Sequence, residues 1–219
     1  MKLIIFDIDG TLVDSANNIV MAMQQAFIYH GITAPSAYNV RQIIGLSLEK
    51  AVAALLSPEY AHKCQDISAT YKEIYHQNRQ SPDYHEPLFP NAKELLEDLN
   101  KSGYLLGVAT GKSRRGLNSS LERHGISNLF VTKQTADDAP SKPNPQMLIQ
   151  NMQDVGAIPQ NTLMIGDTIF DIQMAINANI TGIGVSWGCH SEKELSSAQA
   201  RTIVRSFPEL AVAIASLMD

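Results

Sequence analysis

An apolar run that ends in two acidic residues constrains this chain more than any other feature of its sequence. Residues 3–6 read LIIF, and the stretch DIDGTLVDS follows directly over residues 7–15. A short apolar run bounded by a turn signal is typical of a buried parallel strand. Asp7 and Asp9 at its end bring like charges together where desolvation is costly. The feature therefore predicts a site at which a positive charge compensates both carboxylates.

Further apolar runs predict the other strands of a sheet. They lie at residues 104–110, 162–166 and 180–186, with weaker candidates at residues 129–132 and 202–204. Segments with apolar residues at helical spacing lie between and after them, at residues 91–103, 113–125, 171–179 and 207–218. Alternating strands and helices predict an α/β fold, with a Rossmann-like doubly wound parallel sheet covered by helices on both faces.

Residues 16–86 interrupt this alternation, because they are helix-like throughout and contain no convincing strand. A proline-rich passage, SPDYHEPLFP at residues 81–90, then leads back to the alternating pattern. We therefore expect an all-helical cap domain over residues 16–86, inserted into a catalytic core formed by residues 1–15 and 87–219.

Composition and charge narrow the class of protein. The chain has 17 Lys and Arg against 22 Asp and Glu, and no basic run stands out, so nucleic acid is not an expected partner. Cys64 and Cys189 are too few for a disulfide framework and fit a reducing cytoplasm. No stretch approaches the roughly 18 apolar residues that a membrane helix needs. We expect a cytoplasmic protein without a membrane partner, with monomer and homodimer both open.

Side chains that can carry chemistry follow the ends of the predicted strands, and ligands bind at that edge in open parallel sheets. They are Asp7, Asp9, Thr110, Gly111, Lys112, Lys142, Asp167 and Asp171. Clustered carboxylates are tolerable beside a hard cation, and oxygen ligands suit Mg²⁺. A metal beside a carboxylate, a lysine and free backbone N–H groups forms a site for a phosphoryl group. One carboxylate can attack phosphorus, and another two residues on has the reach to move the proton.

The segments DIDGTLVDS, ATGK, SKPNP and GDTIFD occur in this order and resemble the four motifs of the haloacid dehalogenase superfamily of phosphohydrolases. The helical insert after the first segment is similar to the C1-type cap of that superfamily. The resemblance spans nearly the whole chain and is strongest to phosphoglycolate phosphatase-like enzymes. It implies a Mg²⁺-dependent phosphatase that hydrolyses a small phosphorylated metabolite, phosphoglycolate-like or a sugar phosphate, through an aspartyl-phosphate.

The resemblance also implies a role for each motif residue. Asp7 is expected to be the nucleophile and a Mg²⁺ ligand. Asp9 is expected to be the general acid and base, with its backbone carbonyl also on the metal. Thr110 and the Gly111 N–H are expected to hold the phosphoryl oxygens, and Lys142 to pair with Asp7 and the phosphoryl group.

Two further acids complete the implied metal site. Asp167 is expected to be a metal ligand, and Asp171 either to orient a metal-bound water or to support Lys142. For residues beside the motifs the sequence favours structural interpretations. Asp14 and Ser15 cap the first helix of the insert, Lys112 and Arg114 are solvated residues at a helix start, and residues 189–190 belong to a loop.

The residues leave other functions open. A phosphosugar mutase of the same superfamily uses the same aspartyl-phosphate but returns the phosphoryl group to a sugar. A receiver-like switch, phosphorylated on aspartate and without catalysis, has a similar sheet and acidic cluster, yet it has neither the long helical insert nor an acid at the position of Asp9. A dehalogenase is disfavoured because its chemistry needs neither the second acid nor a metal.

Overall fold

A parallel sheet lies at the centre of the computed structural model, which describes residues 1–218. Within these residues its strands are β1 (Leu3–Phe6), β2 (Leu105–Ala109), β3 (Phe130–Gln134), β4 (Thr162–Gly166), β5 (Thr181–Val185) and β6 (Thr202–Val204). The order across the sheet is β3-β2-β1-β4-β5-β6, and all neighbouring strands are parallel. The order reverses between β1 and β4, which is the point where such sheets bind ligands. The predicted fold class and all the strand candidates are confirmed.

Helices cover both faces of this sheet. They are α5 (Ala92–Lys101), α6 (Arg114–Arg123), α7 (Gln146–Val155), α8 (Ile169–Asn177), α9 (Glu192–Ser197) and α10 (Phe207–Met218). Ile4 and Phe6 join one apolar cluster with α5, α6 and α10, whereas Leu3 and Ile5 join a second with α7 and α8. This alternation follows from side chains pointing to opposite faces along a strand. Both α7 and α9 lie where the sequence analysis predicts no helix.

Residues 16–86 form the remaining helices, which pack around an apolar cluster of their own. The helices are α1 (Ala16–Tyr29), α2 (Ala37–Arg41), α3 (Leu48–Leu55) and α4 (Cys64–Asn78). Their cluster includes Met23, Phe27, Val52 and Ile67, each nearly or fully inaccessible to solvent. A separate core supports the proposal that residues 16–86 form a cap domain.

The two connections between this helical insert and the sheet run side by side. The Asp14 N–H donates to the Pro87 carbonyl at 2.9 Å, and the Phe89 N–H donates to the Leu12 carbonyl at 2.9 Å. The insert therefore joins the rest of the protein through one narrow paired passage. None of the helices in residues 1–218 combines the length and apolar character required to cross a membrane.

Candidate active site

Three buried carboxylates meet at the carboxyl ends of two neighbouring strands. Asp7 follows β1, Asp167 follows β4, and Asp171 lies in the first turn of α8. One carboxylate oxygen from each of them lies within 4.8 Å of the others. All three side chains are essentially inaccessible to solvent. The switch point of the sheet thus holds a compact acidic cluster, as the spacing of the acids after the strands predicts.

A tight turn after β1 makes room for the Asp167 carboxylate. Gly10 has φ +82°, and a Cβ at this position would lie 3.0 Å from Asp167 Oδ1 and closer to the other carboxylate atoms. Glycine is therefore required here both for backbone conformation and for space. Thr11 Oγ1 donates to Oδ1 of Asp167 at 2.8 Å, and the Cys189 N–H donates to Oδ2 at 2.8 Å. The Asp167 side chain is consequently fixed from two directions.

Lys142 is a fully buried cation that binds two acids of the cluster. Its Nζ lies 3.0 Å from Asp7 Oδ2 and 2.7 Å from Asp171 Oδ1. Burial lowers the pKa of Lys142, but Asp171 and Asp7 outweigh this and raise it above its ordinary value, so the ammonium stays charged. The second oxygen of Asp171 accepts hydrogen bonds from the N–H and the hydroxyl of Thr168 at 3.1 and 2.7 Å, in a capping box that begins α8. Asp171 therefore both caps its helix and holds Lys142 in place.

Asp9 has different neighbours from the acidic cluster. Its Oδ1 accepts hydrogen bonds from Ser15 Oγ and from Lys112 Nζ, each at 2.5 Å. Lys112 Nζ also lies 4.0 Å from the buried carboxylate of Glu86. These contacts hold the Asp9 side chain at one oxygen and bring a positive charge to it.

The prediction that Lys112 is solvated is wrong, and the prediction that Ser15 caps α1 holds for its position but not for its side chain. Ser15 occupies the N-cap position of α1, but its side chain makes no capping hydrogen bond and turns to Asp9 instead. Lys112 is not solvated, since only 10% of its side chain is exposed. The contact between Lys112 and Asp9 joins residues 103 positions apart, and no local pattern signals such a pair. For Ser15 the one available signal was its proximity to the first motif.

The electrostatics of the acidic cluster favour a divalent cation. Apart from the Lys142 ammonium, 3.0 Å from Oδ2, the carboxylate of Asp7 has no hydrogen-bond donor among the described residues. Burial raises the pKa of Asp7, and repulsion from Asp171, Asp167 and Asp9 raises it further. Lys142 offsets only part of these effects, so the pKa is about 8. Burial, with repulsion from Asp171, likewise raises the pKa of Asp167 to about 7. Three carboxylates facing one ammonium leave negative charge uncompensated, and oxygen donors of this kind fit Mg²⁺.

These pKa shifts predict how pH and Mg²⁺ act together on stability. Folding raises the pKa of Asp7 from 3.8 to about 8 and the pKa of Asp167 from 3.8 to about 7. Between these pH values the two carboxyls hold more protons in the folded state than in the unfolded state. Their contribution to the free energy of unfolding therefore falls as pH rises through this window in metal-free protein. Because a metal ion binds carboxylates in their ionised form, we expect saturating MgCl₂ to raise the Tm more at pH 8 than at pH 6. Thermal unfolding followed by circular dichroism measures this; equal gains at both pH values would contradict it.

Thr110 and Gly111 lie between β2 and α6, beside the insert. Thr110 is buried, and its Oγ1 accepts a hydrogen bond from the Lys112 N–H at 3.3 Å, which leaves its own proton available to an acceptor. A Cβ on Gly111 would lie 2.5 Å from the Leu46 carbonyl oxygen and 2.7 Å from that of Gly45. Only glycine therefore lets the loop at residues 45–46 approach this closely. Asp7 and Asp9 line the same cavity as Thr110 and Gly111, with a volume of about 480 Å³.

Two further polar contacts hold the insert against the sheet domain. The Ser47 N–H donates to Ser141 Oγ at 2.8 Å. His190 accepts a hydrogen bond at Nδ1 from the Ile169 N–H at 3.0 Å, and its Nε2 lies 3.3 Å from the Gln42 carbonyl oxygen, to which the matching tautomer donates. Residues 189–190 lie in a loop as predicted, but they contact both the acidic cluster and the insert. The insert thus covers the cavity in this structure.

Comparisons with known proteins agree with this arrangement. The sequence profile of the family described as haloacid dehalogenase-like hydrolase matches residues 4–185. The chain is 34% identical to the protein named probable phosphatase IndB of Dickeya dadantii, over 99% of this chain and 94% of that protein. It is 31% identical to a phosphoglycolate phosphatase of Vibrio parahaemolyticus, over 98% and 96% of the two chains. A haloacid dehalogenase-like hydrolase of Bacteroides fragilis has a similar crystal structure, with a TM-score of 0.86 at 25% identity over 95% and 99% of the chains.

Proposed function

The chain belongs to the haloacid dehalogenase-like hydrolase family, and we propose that it is a Mg²⁺-dependent phosphatase that hydrolyses a phosphomonoester of a small metabolite. One observation carries this proposal: Asp7 lines a cavity, and its buried carboxylate has no polar partner among the described residues other than the Lys142 ammonium, 3.0 Å away. Such a carboxylate is a candidate nucleophile, and a fixed ammonium beside it offsets the charge that phosphoryl transfer brings in. The names of the two relatives support the same class of reaction.

The proposed reaction has two steps carried by two aspartates. Asp7 attacks phosphorus and the ester P–O bond breaks, while Asp9 gives its proton to the departing alcohol oxygen. Water then attacks the phosphorus of the aspartyl-phosphate and Asp9 takes the proton from that water. Inorganic phosphate leaves and the Asp7 carboxylate is restored. Ser15 and Lys112 both contact Asp9 at Oδ1, so we assign the proton transfer to Oδ2.

The remaining polar groups bind and position the phosphoryl group in this proposal. The Thr110 hydroxyl and the Gly111 N–H donate to its oxygens, and Lys142 keeps Asp7 aligned and balances its charge. Asp171 keeps the lysine in place through their 2.7 Å contact. Because these groups are fixed by burial before substrate arrives, little reorganisation is needed during the reaction.

A magnesium ion fits the acidic cluster, and we propose it as the cofactor. Asp7, the Asp9 backbone carbonyl and Asp167 would hold it, with Asp171 acting through a water. When bound, it would supply positive charge that reduces the repulsion between the attacking carboxylate and the phosphoryl oxygens. The Gly10 turn and the two donors on Asp167 then serve to aim a metal ligand rather than only to stabilise the loop.

Phosphate release from a generic aryl phosphate tests the proposed function. We expect p-nitrophenyl phosphate to be hydrolysed when MgCl₂ is present, and the activity to disappear in EDTA and return when MgCl₂ is restored. Full turnover in EDTA would exclude the proposed role of the metal. Steady hydrolysis without any sugar bisphosphate activator separates a phosphatase from a phosphosugar mutase. A receiver-like switch would instead give a single phosphorylation of Asp7 without turnover.

We further propose a cytoplasmic location, supported by the two cysteines. Cys64 and Cys189 form no disulfide with each other and both are partly buried. Burial, together with repulsion from Asp167, raises the pKa of Cys189, so its thiol stays protonated and unreactive at neutral pH. Free thiols of this kind are compatible with a reducing compartment.

A further inference from the structure

We propose that the cavity binds an extended phosphomonoester whose far end carries a second anionic group, either a carboxylate or a phosphate. The inference rests on the proposed function because it places the reacting phosphoryl group at Asp7. The cavity volume of about 480 Å³ falls in the range that accommodates drug-sized ligands. A two-carbon phosphoester would leave most of this space unfilled.

Two helix faces, one from the insert and one from the sheet domain, form the outer part of the cavity. Along α4 and its C-cap the lining residues recur at helical spacing: Tyr71, Lys72, Tyr75, His76 and Arg79. Along α6 the polar lining residues are Arg115, Ser119 and Arg123, which are four positions apart and so share one face; Gly116 lines the cavity beside them. At 1.5 Å per residue, the stretch from Arg115 to Arg123 covers about 12 Å. The cavity therefore continues along α6, away from the phosphoryl end.

The charges that line this outer part have one sign. Lys72, Arg79, Arg115 and Arg123 line the cavity, whereas its acidic lining residues are Asp7 and Asp9 at the reacting end. This separation occurs in a chain whose net charge is −5. A cavity with acids at one end and several cations at the other is complementary to a ligand that is anionic at its far end.

The cations of the outer part have no acidic partners within residues 1–218. Lys72, Arg79, Arg115 and Arg123 take part in none of the ion pairs found among these residues. Nη2 of Arg79 is buried and has no hydrogen-bond acceptor there. Leaving a buried donor unpaired is unfavourable, so an acceptor supplied by a ligand would stabilise this side chain. Arg123 is held with its guanidinium 5.0 Å from the Tyr84 ring centre.

Apolar side chains also line the cavity. Ile19, Met23, Ile43 and Leu48 line it from the insert. Tyr71 and Tyr75 also line it and stack on each other, with ring centres 5.6 Å apart. The middle of the ligand is therefore expected to be apolar or aromatic, since burial of such surface is favourable. Together these features specify a ligand with a phosphate at one end, an apolar middle and an anionic group at the far end.

Matched pairs of substrates test this inference. The first pair is hexyl phosphate and 1,6-hexanediol bisphosphate. Three further pairs have chains of two, four and eight carbons, and each consists of an alkyl phosphate and the bisphosphate of the corresponding diol. For the wild type with MgCl₂ we expect kcat/KM to favour the bisphosphate by roughly tenfold or more at the longer lengths, as charge-assisted contacts permit. The doubly substituted Arg79→Gln/Arg123→Gln protein should bring this ratio close to one. Lys50→Gln/Lys193→Gln removes the same charge from exposed positions outside the cavity and should keep the wild-type ratio.

Calorimetric binding of hexane-1,6-bisphosphonate and hexylphosphonate, which are not hydrolysed, gives a second readout of the same preference. Tighter binding of the bisphosphonate that is lost in Arg79→Gln/Arg123→Gln supports the inference, even if no substrate turns over and the proposed function fails. Activity on both substrates with a ratio near one at all chain lengths overturns the inference and leaves the proposed function intact. An unchanged preference in the doubly substituted protein also overturns it.

Discussion

Asp7→Asn is expected to abolish phosphate release, with kcat falling by at least about 10⁴-fold, the scale seen when a catalytic nucleophile is removed. The amide cannot attack phosphorus and cannot balance the charge of Lys142, which lies 3.0 Å away. The fold should survive, because burial already makes the Asp7 charge costly and raises its pKa to about 8. We expect the metal-free Tm to stay within about 5 °C of the wild type, a shift equivalent to roughly 1–2 kcal/mol. The stabilisation by MgCl₂ should be lost, since a proposed ligand is gone.

Two other Asp→Asn substitutions in the same segment serve as comparisons. Asp14 is exposed and lies outside the cavity, so Asp14→Asn should leave kcat and the effect of MgCl₂ unchanged. Asp9→Asn should reduce hydrolysis by roughly 10²–10⁴-fold, the contribution typical of general acid–base catalysis. Measuring released phosphate by a stopped assay at saturating substrate ranks the three proteins. If Asp7→Asn keeps more activity than Asp9→Asn, Asp7 is not the nucleophile.

Lys142→Met is expected to destabilise the protein by about 3–5 kcal/mol and to remove activity, because it leaves buried carboxylates without their counter-charge. Lys142 is fully buried between Asp7 and Asp171, and neither acid has another cation at comparable distance among the described residues. Methionine fills a similar volume, so lost packing adds little to the effect. Urea unfolding monitored by fluorescence in metal-free buffer gives the free energy of unfolding.

A surface lysine provides the matched control for Lys142→Met. Lys101 pairs with Asp98 at 3.4 Å, but 71% of its side chain is exposed. Pairs of this kind contribute about 0–1 kcal/mol, so Lys101→Met should change stability little. Adding Asp171→Asn to Lys142→Met removes one of the buried carboxylates that lack a counter-charge. The doubly substituted protein should therefore regain part of the stability but none of the activity. Equal stability losses in Lys142→Met and Lys101→Met would contradict the burial argument.

The prediction of the fold from sequence succeeded where elements carry a local signature. Strands β1, β2, β4 and β5 are apolar runs short enough to be strands, whereas β3 and β6 have weaker signatures. The alternation with helical periodicity leaves few other topologies. Helix α7 lacks such a signature at its start, because it follows the SKPNP passage, in which closely spaced prolines favour an irregular chain. The division at residues 16–86 stays a prediction, now supported by a separate apolar cluster.

The acidic cluster was predictable for a related reason. Parallel strands end at one edge of the sheet, so acids that follow different strands must meet there whatever lies between them in the chain. That geometry brings Asp7 and Asp167 together although β1 and β4 are far apart in sequence. The order of the four segments then distinguished a phosphohydrolase-like arrangement from isolated acidic turns.

The partners of these acids are what only the tertiary structure decided. The sequence marked Asp7 and Asp9 as a costly pair, yet it did not reveal that Lys112 and Ser15 hold Asp9, and it gave no sign of the unpaired Arg79 across the cavity. The contact between Lys112 and Asp9 depends on β1 and β2 ending side by side in the sheet, whereas Arg79 and α6 meet only as parts of the lining of one cavity. Such contacts join segments by packing rather than by periodicity, so no local pattern in the chain encodes them. Sequence determined the chemistry at the strand ends, and packing determined what surrounds it.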